Sequence, residues 1–395
     1  MANKNLTEAK TAKNDEFYTQ YPDIQKEINA YLEYDPDVFR GKTILLPCDD
    51  PEWSNFTKFF AQNFESFGLK KLISTSFAVE SKRYKTDWEP TLFETENPIF
   101  DADKSRVCGK IFTLDRDTNA NGKIDIEDLE WHYLEGSGDF RSDEVKALRD
   151  ESDIIITNPP FSLFREFLTW IVEAGKQFII IGNQNAITYK EVFPLIKDNK
   201  VWIGATGNGS DMVFAVPEGA VVSEADRQKA AKMGYVGNYT RLGNSCWFTN
   251  IDHGRRHQPL QLMTISDNVK FSRHKDLRGK EYRHYDNYDA IEVPYTDAIP
   301  SDYEGVMGVP ISFLDKFCPE QFEIIGTTKA YLGLASKIYP EQTQIDVNGR
   351  RSSVTKLNDG PVIKIETPPT DKTYYQVGDE FFIQLFNRIL IRKKQ

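Results

Sequence analysis

The 395 residues carry 49 Lys and Arg against 60 Asp and Glu, a formal net charge of −11, with 39% hydrophobic and 13% aromatic residues. That composition suits a globular chain with room for two domains, and it argues against indiscriminate binding to nucleic acid while leaving space for a local basic groove. The polar start Met1-Ala2-Asn3-Lys4-Asn5 lacks the apolar core of a signal peptide, no run approaches membrane-spanning length, and the cysteines Cys48, Cys108, Cys246 and Cys318 show no metal-ligand spacing, so the expectation is a cytoplasmic protein with reduced thiols and no membrane partner.

Residues 1–13 read as a disordered, weakly basic leader. Asn14-Asp15-Glu16-Phe17-Tyr18-Thr19-Gln20-Tyr21 then precedes a helix with Ile24, Ile28, Tyr31 and Leu32 on one face, and Asp15 or Thr19 is its expected cap. Taken alone, Phe17-Tyr18 reads as an aromatic staple on that helix. Thr43-Ile44-Leu45-Leu46-Pro47-Cys48 is the first strand, ending at Asp49-Asp50-Pro51. A helix follows, with Trp53, Phe56, Phe59, Phe60 and Phe64 near helical spacing. Strand, turn, helix opens a nucleotide-binding α/β unit, yet this turn has two acids where a glycine-rich motif is usual. Asp49 and Asp50 therefore either contact a cofactor or favour the helix N-terminus.

Leu72-Ile73-Ser74-Thr75-Ser76-Phe77-Ala78-Val79-Glu80 is the second strand. Glu80 at its end is either a ribose-binding acid or a solvated charge. Residues 81–110 are polar and weakly patterned, as in an insertion.

Asp117-Thr118-Asn119-Ala120-Asn121-Gly122-Lys123-Ile124-Asp125-Ile126-Glu127-Asp128 fits an EF-hand loop at positions 1, 3, 5, 6 and 9. Its ligands would be Asp117, Asn119, Asn121, Lys123 (through its carbonyl), Asp125 and Asp128, the last a shorter arm than the usual Glu. The other reading is a hairpin turn around Asn121-Gly122. Gly136-Ser137-Gly138-Asp139-Phe140-Arg141-Ser142 follows, and Asp139 falls at the expected end of a third strand. There it either accepts from the adenine amino group of a cofactor or caps the next helix.

The most informative stretch is Ser152-Asp153-Ile154-Ile155-Ile156-Thr157-Asn158-Pro159-Pro160-Phe161. Three isoleucines between polar residues fit a parallel strand covered on both faces, and two prolines end it abruptly. Asn158, held extended by the proline after it, presents its side chain at the carboxyl end of the strand, where ligands bind in open α/β sheets. An amino group on a heteroaromatic base is a poor nucleophile because its lone pair is delocalised into the ring. Two acceptors on its hydrogens, Asn158 Oδ1 and the Pro159 carbonyl, favour a pyramidal nitrogen and stabilise the positive charge that grows during attack. Phe161 offers a face on which the base can stack. Asn158, Pro159, Pro160 and Phe161 thus form the tetrapeptide of amino-group methyltransferases that use S-adenosylmethionine, unless they are a plain proline-rich turn.

Beyond it, a helix through Leu163, Phe164, Phe167, Leu168 and Ile171, the strand Phe178–Asn183, a short helix near Tyr189–Ile196 and the strand Val201–Gly204 continue the alternation. After about residue 205 short strands such as Cys246–Thr249 alternate with Gly, Asn and basic residues. Lys270, Arg273, His274, Lys275 and Arg278 interleave with Phe271, Tyr282, Tyr285 and Tyr288, the composition either of a nucleic-acid groove or of a solvated loop. Residues 340–375 read as a turn-rich insertion, and Phe382–Phe386 and Ile389–Ile391 as closing strands.

Several of these stretches, in one order, resemble the EcoRI-type adenine-specific DNA methyltransferases: Asp15–Gln20, Cys48–Pro51, Gly138–Ser142, Asn158–Glu166, Ile187–Glu191, Tyr285–Ala290 and Gly305–Pro310. The segments around 115–135 and 335–380 are longer than the family pattern. The resemblance implies a Rossmann-like S-adenosylmethionine-dependent core, a mostly parallel sheet with helices on both faces, and a C-terminal target-recognition region. It implies a cofactor motif at Phe17, Tyr18, Thr19 and Gln20, with Asp49, Asp50, Asp139 and Phe140 also at the cofactor and the strand-two acid unassigned beyond the candidate Glu80. The expected layout is a catalytic core over 14–250 with an insertion near 81–135, then target recognition over 251–395. The expected activity is transfer of methyl from S-adenosylmethionine to adenine N6 in double-stranded DNA, by a monomer, with the base flipped out of the duplex. Two alternatives stand beside it: a protein-glutamine N-methyltransferase, and a calcium-stabilised interaction module with an inactive core.

Overall fold

The computed structural model describes residues 17–47, 49, 54–78, 95, 97–206, 212–217 and 220–394; the expected leader, Asp15, Asp50 and Glu80 lie outside them. The chain divides into two compact units, Met1–Ala186 with Val201–Gly254, and Ile187–Lys200 with Arg255–Gln395.

In the first unit β1 (Tyr18–Thr19) leads directly into helix α1 (Tyr21–Tyr34). Thr19 is therefore part of a strand and does not cap the helix. The N-cap is Gln20, without a side-chain bond, and Pro22 supplies the preset φ of a first turn. Ile24, Ile28 and Tyr31 bury one face of α1. So does Glu27, which is fully buried and accepts from Ala205 N, Thr206 N, Thr206 Oγ1 and Tyr31 Oη. Burial raises its pKa, and these donors oppose the rise. Gly204 is required beside it, because a Cβ there would lie 2.3 Å from Glu27 Oε1.

The main sheet is built from β2 (Thr43–Leu46), β3 (Lys71–Ser76), β4 (Lys110–Leu114), β5 (Glu130–Tyr133), β6 (Ile154–Thr157), β7 (Gln177–Asn183), β8 (Trp202–Ile203) and, after β9 (Met212–Ala215) and β10 (Tyr239–Leu242), β11 (Ser245–Thr249). Its order is β5-β4-β3-β2-β6-β7-β11-β8. Helix α2 (Asn55–Gln62) joins β2 to the β3 side, α3 (Asp143–Glu151) precedes β6, and α4 (Phe164–Glu173) connects β6 to β7. The four central strands β3, β2, β6 and β7 are parallel. Every residue of β2 and β6 is buried, as their unbroken apolar runs require.

The architecture is mixed α/β, and the parallel pairing expected for most of the sheet is confined to its middle. β4 pairs antiparallel with β3, β5 with β4, and β11 with both β7 and β8. The reason on one side is the link itself: residues 115–129 return the chain as a hairpin, with no crossover helix. Two reversals leave β5 running in the same direction as β3, so the Gly136–Ser142 segment reaches the carboxyl edge of the sheet. A second, three-stranded sheet, β1-β9-β10, is antiparallel.

The second unit holds β12 (Ile291–Glu292), β13 (Met307–Pro310), β14 (Phe322–Thr327), β15 (Gln342–Ile345), β16 (Arg351–Val354), β17 (Val362–Ile365), β18 (Tyr374–Val377), β19 (Glu380–Gln384) and β20 (Arg388–Lys393). They form a β12-β13-β20-β14 sheet and a β16-β15-β18-β19-β17 sheet. Residues 340–375, turn-rich in sequence, thus contain three strands and the start of a fourth. Gln342–Ile345 and Arg351–Val354 carry too little apolar alternation to be read as strands, and their register comes from pairing.

The aromatics near residue 285 are not a stacking surface. Tyr285 and Tyr288 are buried in a core with Ala290, Ile363 and Leu390. Tyr288 Oη donates to Thr328 O (3.0 Å), Tyr282 Oη donates to Ala298 O (2.6 Å), and Asn287 bridges Gly360 O and Val362 N. Buried Tyr and Asn need internal partners, and these satisfy them. Phe271 is the one of the four that stands out in solvent, at 59% exposure with Lys270 Nζ over its ring.

Candidate active site

β6 delivers Asn158 to the carboxyl edge of the sheet between the ends of β2 and β7. Thr157 Oγ1 donates to Pro47 O (2.8 Å), tying the tip of β6 to the tip of β2. Pro160 O accepts from Leu163 N, so the tetrapeptide turns straight into a short 3-10 turn, Phe161–Leu163, and then α4. The backbone on both sides of Asn158 is thereby held.

Its side chain is split in use. Asn158 Nδ2 donates to Phe17 O at 2.6 Å. Asn158 Oδ1 is buried and accepts no hydrogen bond among the described residues. An unpaired buried acceptor costs stability, and at a strand tip it is what a ligand's N–H group would pair with. Around it, Phe161 lies 5.5 Å from Phe17 and 6.4 Å from Phe214, ring centre to ring centre, and Phe17 lies 5.9 Å from Phe214. Phe161 is only partly buried, in contrast to Phe214, which is fully buried.

The N-terminal motif is brought to the same place. Tyr18 and Thr19 pair with Ala215 and Phe214 of β9. Asn55 Nδ2 donates to Thr19 O (2.7 Å), and Gln20 Nε2 to Tyr18 O (3.1 Å). Thr19 is buried, and its Oγ1 is a second hydroxyl or amide oxygen of this region without a partner among the described residues.

Asp49, at the end of β2, is buried. It does not cap α2. Ser54 does, accepting from Phe56 N (3.1 Å), while Ser54 Oγ donates to Asp49 Oδ1 (2.8 Å). The Asp49 main-chain oxygen accepts from Thr57 Oγ1 and Ser74 Oγ, which locks the strand tip to α2 and β3.

Asp139 likewise leaves helix capping to a serine: Ser142 Oγ accepts from Val145 N. Arg141 grips the Asp139 carboxylate through Nε (2.8 Å) and Nη2 (2.5 Å) and holds its pKa below the ordinary value. Oδ1 also accepts from Arg141 N (2.9 Å), so it is Oδ2, with a single bond, that keeps a lone pair for a further donor. The segment is pinned against the end of β3 by Ala78 N donating to Ser137 O, and Gly138, at φ +84°, passes so close that a Cβ would lie 2.3 Å from Ser76 O. Phe140 is 1% exposed and packs on Phe167 and Trp170, so its ring anchors Asp139 from the core side.

Sequence reading missed three contributors: Phe214, Asn55 and Arg141. Phe214 and Asn55 are far from their partners along the chain and carry no motif. Arg141, two residues after Asp139, was legible as a charge pair.

The EF-hand-like loop lies elsewhere. It leaves β4 at Leu114, which pairs with Leu72 at the beginning of β3, so it sits at the amino edge of the sheet. Asp117 accepts from Asn121 N and Gly122 N, Asn119 from Asn121 N, Asn121 from Lys123 N, and Asp125 from Glu127 N. Asp128 accepts from Thr118 N, Thr118 Oγ1, Asn119 N and Asp125 N. No group of three or more His, Cys, Asp or Glu able to hold a metal ion is found among the described residues. The calcium reading therefore finds no support. The loop joins two antiparallel strands, and its acceptors serve the turn.

Compared with known proteins, residues 5–394 match the family model described as adenine-specific methyltransferase EcoRI. The chain is 40% identical over 352 residues to the type II methyltransferase M.EcoRI of Escherichia coli, covering 88% of this chain and 94% of that protein. It is 36% identical over 320 residues to the type II methyltransferase M.MpnI of Mycoplasma pneumoniae, covering 80% and 83%. It is 34% identical over 318 residues to the type II methyltransferase M.MgeORF184P of Mycoplasma genitalium, covering 80% and 84%. No solved structure matches it.

Proposed function

The chain belongs to the EcoRI family of adenine-specific methyltransferases, and from that premise we propose that Asn158, Pro159, Pro160 and Phe161 hold the target adenine while its N6 amino group is methylated in duplex DNA. The enzyme is an adenine-specific DNA methyltransferase of the restriction-modification type, and its methyl donor is S-adenosylmethionine. The alternatives, methylation of a protein glutamine and an inactive calcium-stabilised module, have nothing in their favour.

One observation carries the site assignment: Asn158 Oδ1, buried and without a hydrogen-bond partner among the described residues, at the carboxyl edge of the sheet. It accepts one hydrogen of the N6 amine, and the Pro159 carbonyl accepts the other. As nitrogen attacks, both acceptors meet growing positive charge and stabilise it. Phe161 stacks on the base. A stacked, paired adenine cannot reach this pocket, so the base is extruded from the duplex. S-adenosylmethionine, when bound, supplies a methyl group already activated by its sulfonium. The amine gives up one hydrogen as a proton once the new carbon–nitrogen bond has formed.

The cofactor set that fits is Thr19, through its buried hydroxyl without a partner among the described residues, with Phe17, Tyr18 and Gln20 beside it, Asp49 at the tip of β2, and Asp139 for the adenine amino group of the cofactor. Phe140 supports that set from behind, its ring packed on Phe167 and Trp170. We read the sheet as a Rossmann-like core with antiparallel additions at its edges. The second unit is the target-recognition part, and its charge supports this. It has 23 Lys and Arg against 21 Asp and Glu, leaving 26 against 39 in the first unit. Phosphate contact needs local positive charge, and Lys270, Lys275, Arg278 and Lys280 concentrate it.

The test is transfer of labelled methyl from S-adenosylmethionine to duplex DNA, followed by sequencing for N6-methyladenine. Methyl recovered on cytosine, or on protein with none on DNA, overturns the assignment.

A further inference from the structure

The geometry points to the main-chain carbonyl of Phe17 as the group that orients the catalytic amide: the N-terminal strand latches Asn158 Nδ2 and so presents Oδ1, and not the NH2, to the target base. This rests on the assignment of Asn158 as the acceptor for the base.

An asparagine side chain is nearly symmetric in shape, and either end of the amide fills the same space. Only its partners decide which end faces a ligand. Here the deciding partner is a carbonyl, which accepts and cannot donate. With Nδ2 at 2.6 Å from Phe17 O the contact is a hydrogen bond. With the amide reversed, two oxygens would face each other at that distance. The NH2 would then point at the N6 amine, donor to donor, and the site would repel its substrate. The bond to Phe17 O also polarises the amide, so Oδ1 becomes a stronger acceptor for the hydrogens of an amine that is turning positive.

A latch must itself be rigid, and this one is held on three sides. β1 pairs with β9 at Tyr18–Ala215 and Thr19–Phe214. Asn55 Nδ2 donates to Thr19 O, two residues from the latching carbonyl. The Phe17 ring packs on Phe161 and Phe214, one of them in the catalytic tetrapeptide. The N-terminal motif is therefore a positioning element for the catalytic residue as well as part of the cofactor set.

The deciding experiment is the pH profile of Asn158→Asp, expressed as the ratio of its single-turnover rate to that of the wild type between about pH 8 and pH 5.5. A carboxylate cannot donate to Phe17 O; a carboxylic acid can, and it keeps its other oxygen for the base. The ratio should therefore climb as pH falls, by about tenfold per unit while the acid form is the minor species. A ratio that stays flat, or falls on acidification, shows that the ionised form works equally well and overturns the latch. Asn158→Ala separates the two ideas: if it methylates at the wild-type rate, Asn158 is not the acceptor and the functional assignment fails, whereas an inactive Ala variant with a flat Asp ratio removes only the latch. Should the Asp variant be inactive throughout, the side-chain amide of Asn158 decides by NMR in the wild-type enzyme, assigned by its loss in Asn158→Ala. One of its two protons should be shifted downfield and protected from exchange. Two protons at free-amide positions overturn the inference.

Discussion

Two loops of the same sheet carry the most conspicuous motifs in the chain, and they spend their side-chain oxygens in opposite ways. At the amino edge, Asp117, Asn119, Asn121, Asp125 and Asp128 accept from the N–H groups of their own loop. At the carboxyl edge, Asn158 donates to a carbonyl 141 residues earlier and leaves its oxygen buried with no donor among the described residues. The first arrangement lowers the free energy of the turn, since an acidic side chain caps N–H groups that would otherwise lie unpaired. The second raises the free energy of the folded chain and makes sense only if a ligand repays it. Residue types in a loop suggest ligands in both cases; the direction of the hydrogen bonds tells a turn from a site.

The comparison breaks if substitutions at the two loops do not dissociate chemistry from stability. The largest effect belongs to Asn158→Ala: methyl transfer should fall by about 10³-fold, the scale of losing a preorganised transition-state contact, while cofactor affinity changes by less than about threefold. Single-turnover rates and calorimetric titration check the two halves, and a coupled loss of both would mean that Asn158 mainly holds the fold. Next comes Thr19→Val, which removes, without changing shape, a buried hydroxyl that has no partner among the described residues. The cofactor dissociation constant should rise about tenfold, the worth of one hydrogen bond, with the melting temperature unchanged or slightly higher. An unaltered affinity would take Thr19 out of the cofactor set.

The opposite result is expected at the amino edge. Asp128→Asn keeps one acceptor and loses the other, so the melting temperature should drop by roughly 2–4 °C with the rate of methyl transfer intact. The sign with pH follows from the acid itself: the backbone N–H of Asp125, chief among several donors, holds the Asp128 pKa below its ordinary value. Its contribution is thus present at neutral pH and is lost as pH falls through that lowered value, so melting curves of variant and wild type should converge in acid. The smallest effect is that of calcium, which should move the wild-type melting temperature by less than about 1 °C at millimolar concentration. A rise of several degrees would restore the metal reading and undo the contrast.

How much was legible varied with the range of the interaction. Ile154–Thr157 and Thr43–Leu46 were readable because an unbroken apolar run has one stable home, a strand covered on both faces. The tetrapeptide was readable because proline restricts its own backbone and that of the residue before it. The reversal of β4 and β5 was not, since a polar hairpin and a polar crossover look alike in composition. Nor were Tyr285 and Tyr288, whose spacing among basic residues matches that of a stacking platform although both rings are in a core.

Motif order along the chain was by itself sufficient for the family, its chemistry and its methyl donor, because the motifs consist of residues adjacent in sequence. Besides the reversed strands and the buried tyrosines, the folded chain decided the orientation of one amide. That orientation comes from contact between residues 17 and 158, and from Phe214 and Asn55 closing around them. A side chain whose two ends are alike in size can be set only by the donors and acceptors it meets in space, and those arrive from strands that the sequence keeps far apart.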